Sequence, residues 1–184
     1  MEYRRTAGLF ATGVTVVTTA VDDILHGMTA NAFASLSLDP LLVLVCVDRR
    51  AGLHELLVRA GAFAVTILAE DQEATARWFA SPHRPDGRDQ FDGWDWVPGP
   101  SSGSPLLQGG SAYLDCRLRT VHDGGDHSIF LGSVHALGPL GGGAPLLWYD
   151  GAYRRLGGAP DPVGGPAQNV PNSRSPKSPR PGTM

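Results

Sequence analysis

Three stretches of this sequence carry side chains of the kinds that bind ligands. "HDGGDH", His122–His127, sets histidine and aspartate on either side of a glycine pair. These are metal-ligand types, and two strands meeting at a tight turn could place His122 and His127 across from each other. Asp-Gly-Gly is also what a hairpin turn demands, because its central residues take φ > 0. That reading leaves a turn with one useful histidine. "CVDRRAGLHELL" puts Asp48, Arg49 and Arg50 between an apolar run and a helical pattern. A helix N-terminus attracts anions through its free N–H groups, and arginine grips phosphate in a fork; a solvated charged turn is the plain alternative. "HGMTANAFASLSLDP", His26–Pro40, lays small hydroxyl and amide side chains directly against the most apolar segment of the chain. It reads either as a hairpin with one wet face or as a cradle for a polar ligand. Dinucleotide-fingerprint and P-loop patterns do not occur.

The elements that must position these groups read mainly as strands. "TGVTVVTTA" (12–20) is rich in Thr and Val, as strands are. "LLVLVCV" (41–47) is a continuous apolar run of the kind expected for a strand buried on both faces. "AFAVTIL" (62–68) is another strand, and "SAYLDCRLRTVH" and "SIFLGSVHALG" are two long ones around the "DGGD" turn. "PLLWYDGAYRRL" closes the body. Short helices fit between them. Residues 52–61 place Leu53, Leu56, Leu57 and Ala60 on one stripe, with Gly61 as the stop. Residues 70–80 begin acidic and end near Arg77, in keeping with the helix dipole, and "EYRRTAGLF" is a further candidate. Residues 83–108 read as a long loop. Many strands, few helices and no regular β-α alternation predict a mainly β fold with short helices, a closed or nearly closed barrel.

Composition bounds the function. The 184 residues suffice for one domain with a core. The net charge of −3 does not favour nucleic acid. No apolar run approaches the ~20 residues of a membrane span, and no signal peptide opens the chain, so the cytoplasm is the expected compartment. Cys46 and Cys116 lie in apolar runs and read as buried thiols. The body is expected over 1–156. Residues 157–184 hold seven of the fifteen prolines and almost no large apolar side chain, and are expected to be disordered.

Taken in order, "FATGVTVVTT", "HGMTANAFASLSLDPLLVLVCVD", "FAVTILAEDQ", "YLDC", "HDGGDHSIFLG" and "PLLWYDGAY" resemble the flavin reductase-like proteins, the small reductase components of two-component flavin-dependent monooxygenases. The resemblance covers about 10–156. It implies an FMN-binding split β-barrel, usually a homodimer, that uses NADH or NADPH to reduce FMN or FAD for a partner monooxygenase. Thr29, Asn31, Ala32, Phe33, Ala34, Ser35, Ser37 and Leu38 resemble the segment that holds the isoalloxazine ring. Small residues there let the backbone approach, and Asn and Ser can donate to the ring's polar edge. Asp48, Arg49, Arg50 and Ala51 resemble the phosphate-binding turn. Ala51 and Leu53 stand where many relatives carry hydroxyls, which leaves the arginines and backbone N–H groups to bind phosphate. Gln90 and Phe91 resemble a further flavin-contacting pair, His127 the histidine near the nicotinamide, and Tyr149 and Tyr153 lie near where relatives place NAD(H). Two other readings stay open: a split-barrel enzyme for another ligand, and a flavin- or haem-binding module without NAD(P)H oxidation.

Overall fold

The computed structural model describes residues 2–157; the expectation for the tail falls, Gly157 apart, outside them. In chain order the elements are α1 (Glu2–Ala7), β1 (Thr12–Gly13), β2 (Thr15–Val21), β3 (Ile24–Ala30), β4 (Phe33–Leu38), β5 (Leu41–Asp48), α2 (Gly52–Ala60), β6 (Ala62–Ile67), α3 (Glu73–Ala80), a 3₁₀ turn (Gly87–Phe91), β7 (Trp96–Pro98), β8 (Pro105–Leu107), β9 (Ala112–Gly124), β10 (His127–Pro139), β11 (Leu147–Tyr149) and β12 (Ala152–Arg154).

Seven strands form one antiparallel sheet in the order β3-β2-β6-β9-β10-β5-β4. Its two edges, β3 and β4, are consecutive in the chain, separated only by Asn31 and Ala32. The sheet therefore curls until both edges meet one piece of backbone. It is a split barrel rather than a closed one, because at the split the chain passes from one edge to the other. Ala32 there turns its carbonyl to the Cys46 N–H (3.0 Å), which fastens the link to β5.

Inside the curl, Val17, Val43, Val45, Val47, Phe63, Val65 and Phe130 pack with Leu53 and Leu57 of α2. This is the helical stripe at work, and α2 ends on Gly61 with φ 61°, whose N–H returns to the Leu57 carbonyl. A second cluster gathers Val14, Val16, Leu25, Leu68, Phe79, Phe91, Leu107 and Leu146 beneath α3. α3 begins at Glu73, later than the acidic run suggests, because Ala69–Gln72 forms a turn in which the Gln72 side chain accepts from Ala69 N–H (3.1 Å) and donates to the Gln108 carbonyl (2.8 Å). The expected loop of 83–108 contains the 3₁₀ turn and the β7–β8 ribbon. Its aromatics are the reason: Phe91 packs against Phe79 and Trp96.

β5 departs from the expectation of burial on both faces. Val43, Val45 and Val47 are buried, while Leu42, Leu44, Cys46 and Asp48 are half-buried on the opposite face. That second face leads to the site.

Candidate functional site

A cavity of about 720 Å³ opens at the split in the sheet. Asn31, Ala32, Phe33 and Ala34 form one wall, Leu44 and Cys46 its floor, and Tyr3, Arg4 and Phe10 from the N-terminal segment the other side, with Trp148 and Gly151 closing the end. Two smaller cavities, about 240 and 290 Å³, adjoin it around Trp148 and Tyr153 and reach Thr29, Arg77 and Ser81. Tyr153 stands edge-on to Trp148 at 4.9 Å, with the Arg77 guanidinium over its ring at 4.9 Å. The β11–β12 hairpin that carries them turns on Asp150 and Gly151, both with positive φ (48° and 72°).

From the cavity floor a ribbon runs to a polar end. β5 and β10 pair Leu44 with Leu131, Cys46 with Ile129 and Asp48 with His127. Side chains two apart in a strand share a face, and all six are half-buried. Over about 13 Å this face passes from aliphatic, through a thiol, to charge. At the polar end two turns remote in sequence interlock. Arg49 donates its backbone N–H to the Asp126 carbonyl (3.0 Å), Nε to the Gly125 carbonyl (3.0 Å) and Nη2 to Asp123 (3.0 Å). Arg50 donates to Asp48 through its backbone N–H (2.8 Å), Nε (3.2 Å) and Nη2 (2.9 Å). The Arg50 side chain and then its N–H hold the Asp48 carboxyl far below the usual carboxylate range. The hydrogen bond from His127 Nδ1 (2.7 Å) lowers Asp126. His54, in the first turn of α2, shares a hydrogen bond with Ser128 Oγ (2.9 Å) and adds a third tie.

The structure sorts the expected site residues into groups. Asn31, Ala32, Phe33 and Ala34 line the main cavity; Thr29 and Tyr153 line its neighbours. The Thr29 hydroxyl donates to the Ala76 carbonyl (2.8 Å), so toward a ligand it can act only as an acceptor. Ser35, Ser37 and Leu38 are not among the lining residues: they follow the edge strand β4 outward, past a bulge, to Leu38 at 84 % exposure. Asp48, Arg49, Arg50, Ala51 and His127 come together at the polar end. Tyr149 is exposed on β11 and lines none of these cavities. Gln90 and Phe91 lie in the interior at 0 and 2 % exposure. Gln90 accepts from Gly27 N–H (2.8 Å), donates to the carbonyls of Leu25 (3.1 Å) and Gly87 (2.9 Å), and faces His26 Nδ1 (3.3 Å). Its place is structural, behind β3.

The hairpin reading of "HDGGDH" holds. Gly125 and Asp126 form the turn, Gly125 alone has positive φ (81°), and His122 pairs with Ile129, not His127. Among the described residues no three His, Cys, Asp or Glu side chains gather as metal ligands. Sequence reasoning missed Trp148, Leu44, Cys46 and the N-terminal Tyr3, Arg4 and Phe10. Leu44 and Cys46 lie in a continuous apolar run that does not report which face is open, so Cys46 reads there as a buried thiol; the N-terminal residues carry no local signal.

The family profile described as "Flavin reductase like domain" matches residues 7–157. The chain belongs to the flavin reductase-like family. A curated relative, the "NADH-dependent FAD reductase" of Streptomyces globisporus, is 46% identical over 161 residues, covering 88% of this chain and 87% of the relative. The "Flavin-dependent monooxygenase, reductase subunit HsaB" of Rhodococcus jostii is 42% identical, over 82% of this chain and 75% of the relative. Among solved structures, BorF, "the Flavin Reductase Component of a Bacterial Two-Component Tryptophan Halogenase", superposes with TM-score 0.81 at 41% identity, covering 88% of this chain and 98% of that one.

The residues fit the flavin this family implies. A cavity of this size, apolar with a few polar groups, is usual for a small-molecule site, and the ribbon's gradient matches a ligand with an apolar ring at one end and a phosphate at the other.

Proposed function

We infer that this flavin reductase-like chain is an NAD(P)H:flavin oxidoreductase that passes reduced FMN or FAD to a flavin-dependent monooxygenase. The carrying observation is the β5–β10 face, which joins the cavity at the split to the Asp48–Ala51 turn and to His127 in one line. When bound, flavin supplies the acceptor for the nicotinamide hydride. The protein contributes position. Asn31–Ala34 hold the ring edge close to backbone, Leu44 and Cys46 keep water from one side, and Arg49 and Arg50 take the phosphate. His127, braced by Asp126, orients the nicotinamide. Aligning two bound rings is worth about 7–11 kcal/mol of barrier, and no acid or base is needed for hydride transfer itself. The names of the relatives, NADH-dependent FAD and FMN reductases among them, favour NADH as donor.

The enzyme works as a homodimer in this reading. Leu36, Leu38 and Leu41, on and beside the edge strand β4, are 47, 84 and 44 % exposed, an apolar edge that a second copy covers. Light scattering on the purified protein returns twice the chain mass if so. The activity is tested by following NADH and NADPH oxidation with FMN or FAD added. Turnover that requires added flavin supports a reductase of diffusible flavin; flavin binding without turnover sinks it.

A further inference from the structure

The arginines assigned to the flavin phosphate are already occupied. Both Asp48 oxygens accept from Arg50, and Arg49 spends Nη2 on Asp123 and Nε on the Gly125 carbonyl. The turn's other donors are scarce: Ala51 N–H goes to the Asp48 carbonyl (3.0 Å), and neither Ala51 nor the buried Leu53 has a hydroxyl. Asp48, Asp123 and Asp126 face Arg49, Arg50 and His127 at this end, so an incoming phosphate meets carboxylates as well as cations. The pairs are also easily broken. The Arg50 and Asp123 side chains are 86 and 82 % exposed, and exposed ion pairs are individually weak.

We propose that Asp48 and Asp123 are resident competitors of the flavin phosphate, holding Arg50 and Arg49 in the free enzyme and reclaiming them as flavin departs. This rests on the reading that the Asp48–Ala51 turn receives the phosphate. Binding then exchanges one set of ion pairs for another, so the phosphate adds little net affinity, and the reverse exchange lets product leave without stranding two bare guanidinium groups. That suits a protein whose product must be handed on.

The test compares FMN with riboflavin, which shares the ring and lacks the phosphate. Asp123→Asn keeps an oxygen for the Gly125 N–H, which the carboxylate accepts at 2.8 Å, and removes both the charge and the oxygen that accepts from Arg49 Nη2. It is expected to tighten FMN by about two- to fivefold, slow FMN dissociation by the same factor and leave riboflavin affinity unchanged. Asp48→Asn is expected to act in the same direction. Arg49→Gln and Arg50→Gln are expected to weaken FMN and spare riboflavin. If the arginine variants weaken FMN while neither aspartate variant tightens it, the competition is overturned and the phosphate reading stands. If the arginine variants leave the FMN-to-riboflavin ratio unchanged, the phosphate binds elsewhere and both fall.

Discussion

Two polar clusters, each built around a histidine, sit in opposite circumstances. His26 is buried, with Gln90 on one ring nitrogen, Arg84 on the other (3.3 Å each), and Gln90 and Arg84 also bonded to the backbone of Gly27. His127 stands at the open end of a hairpin, where the ion pairs join side chains that water can reach. In the first cluster the bonds define the path of β3, and no ligand can replace them. In the second they can be traded for a ligand's. Both contain residues that the family resemblance marks as contacts, and burial separates them: Gln90 is sealed behind β3, whereas His127 is open to water.

The sharpest way to break this contrast is Gln90→Leu. It leaves the Gly27 N–H without its acceptor inside the core, and the expected loss is about 3 kcal/mol of stability, read by urea unfolding, with flavin affinity of the folded protein unchanged. Unchanged stability with lost flavin binding would return Gln90 to the ligand. Next, Cys46→Phe fills the cavity floor from a half-buried position. kcat/KM is expected to fall by about a hundredfold with little change in the thermal midpoint; full activity would move the ring site off this floor. His127→Ala is expected to cost about tenfold in kcat/KM for NADH and nothing in flavin affinity, and wild-type turnover at limiting and saturating NADH would end its role.

The smallest effect is one of pH. Burial first, and the Arg84 charge second, lower the pKa of His26 from 6.5 to about 4. Between these values the unfolded chain binds the proton and the folded chain does not, so the stability His26 contributes is intact above about pH 6.5 and drains away as pH falls toward 4. At about pH 5.5 the loss is about 1 kcal/mol. His26→Asn is expected to flatten that part of the stability–pH curve. Parallel curves for wild type and His26→Asn would contradict the assignment.

Many of the elements were legible because apolar runs, helical stripes and turn residues are local: the β9–β10 hairpin, α2 with its Gly61 stop, and the strand from Leu41 all stand where the pattern puts them. The rest was not legible, because distant chain decides it. The aromatics of 83–108 found partners on α3 and β3, which turned an expected loop into a 3₁₀ turn and a ribbon. The resemblance carried Ser35, Ser37 and Leu38 into the ring site as one run with Asn31–Ala34, but β4 is an edge strand and leads them away from the cavity. That Arg49 would meet Asp123 depends on the register between β5 and β10, which no local pattern reports.

The two-residue link Asn31–Ala32 has a consequence for how this site can change. It ties the first strand of the sheet to the last, so its length sets the reach between two edges that nothing else in the sheet joins. One added residue would have to be absorbed by β3 or β4, and would turn that strand's alternate side chains to the wrong face. The same insertion at Gly125–Asp126 would leave every strand in register and disturb only the Arg49 contacts of that turn. The cavity is thus rigid in chain length on the side of the split and permissive on the side of Tyr3, Arg4 and Phe10, where the segment before β1 can lengthen, shorten or shift without disturbing a strand.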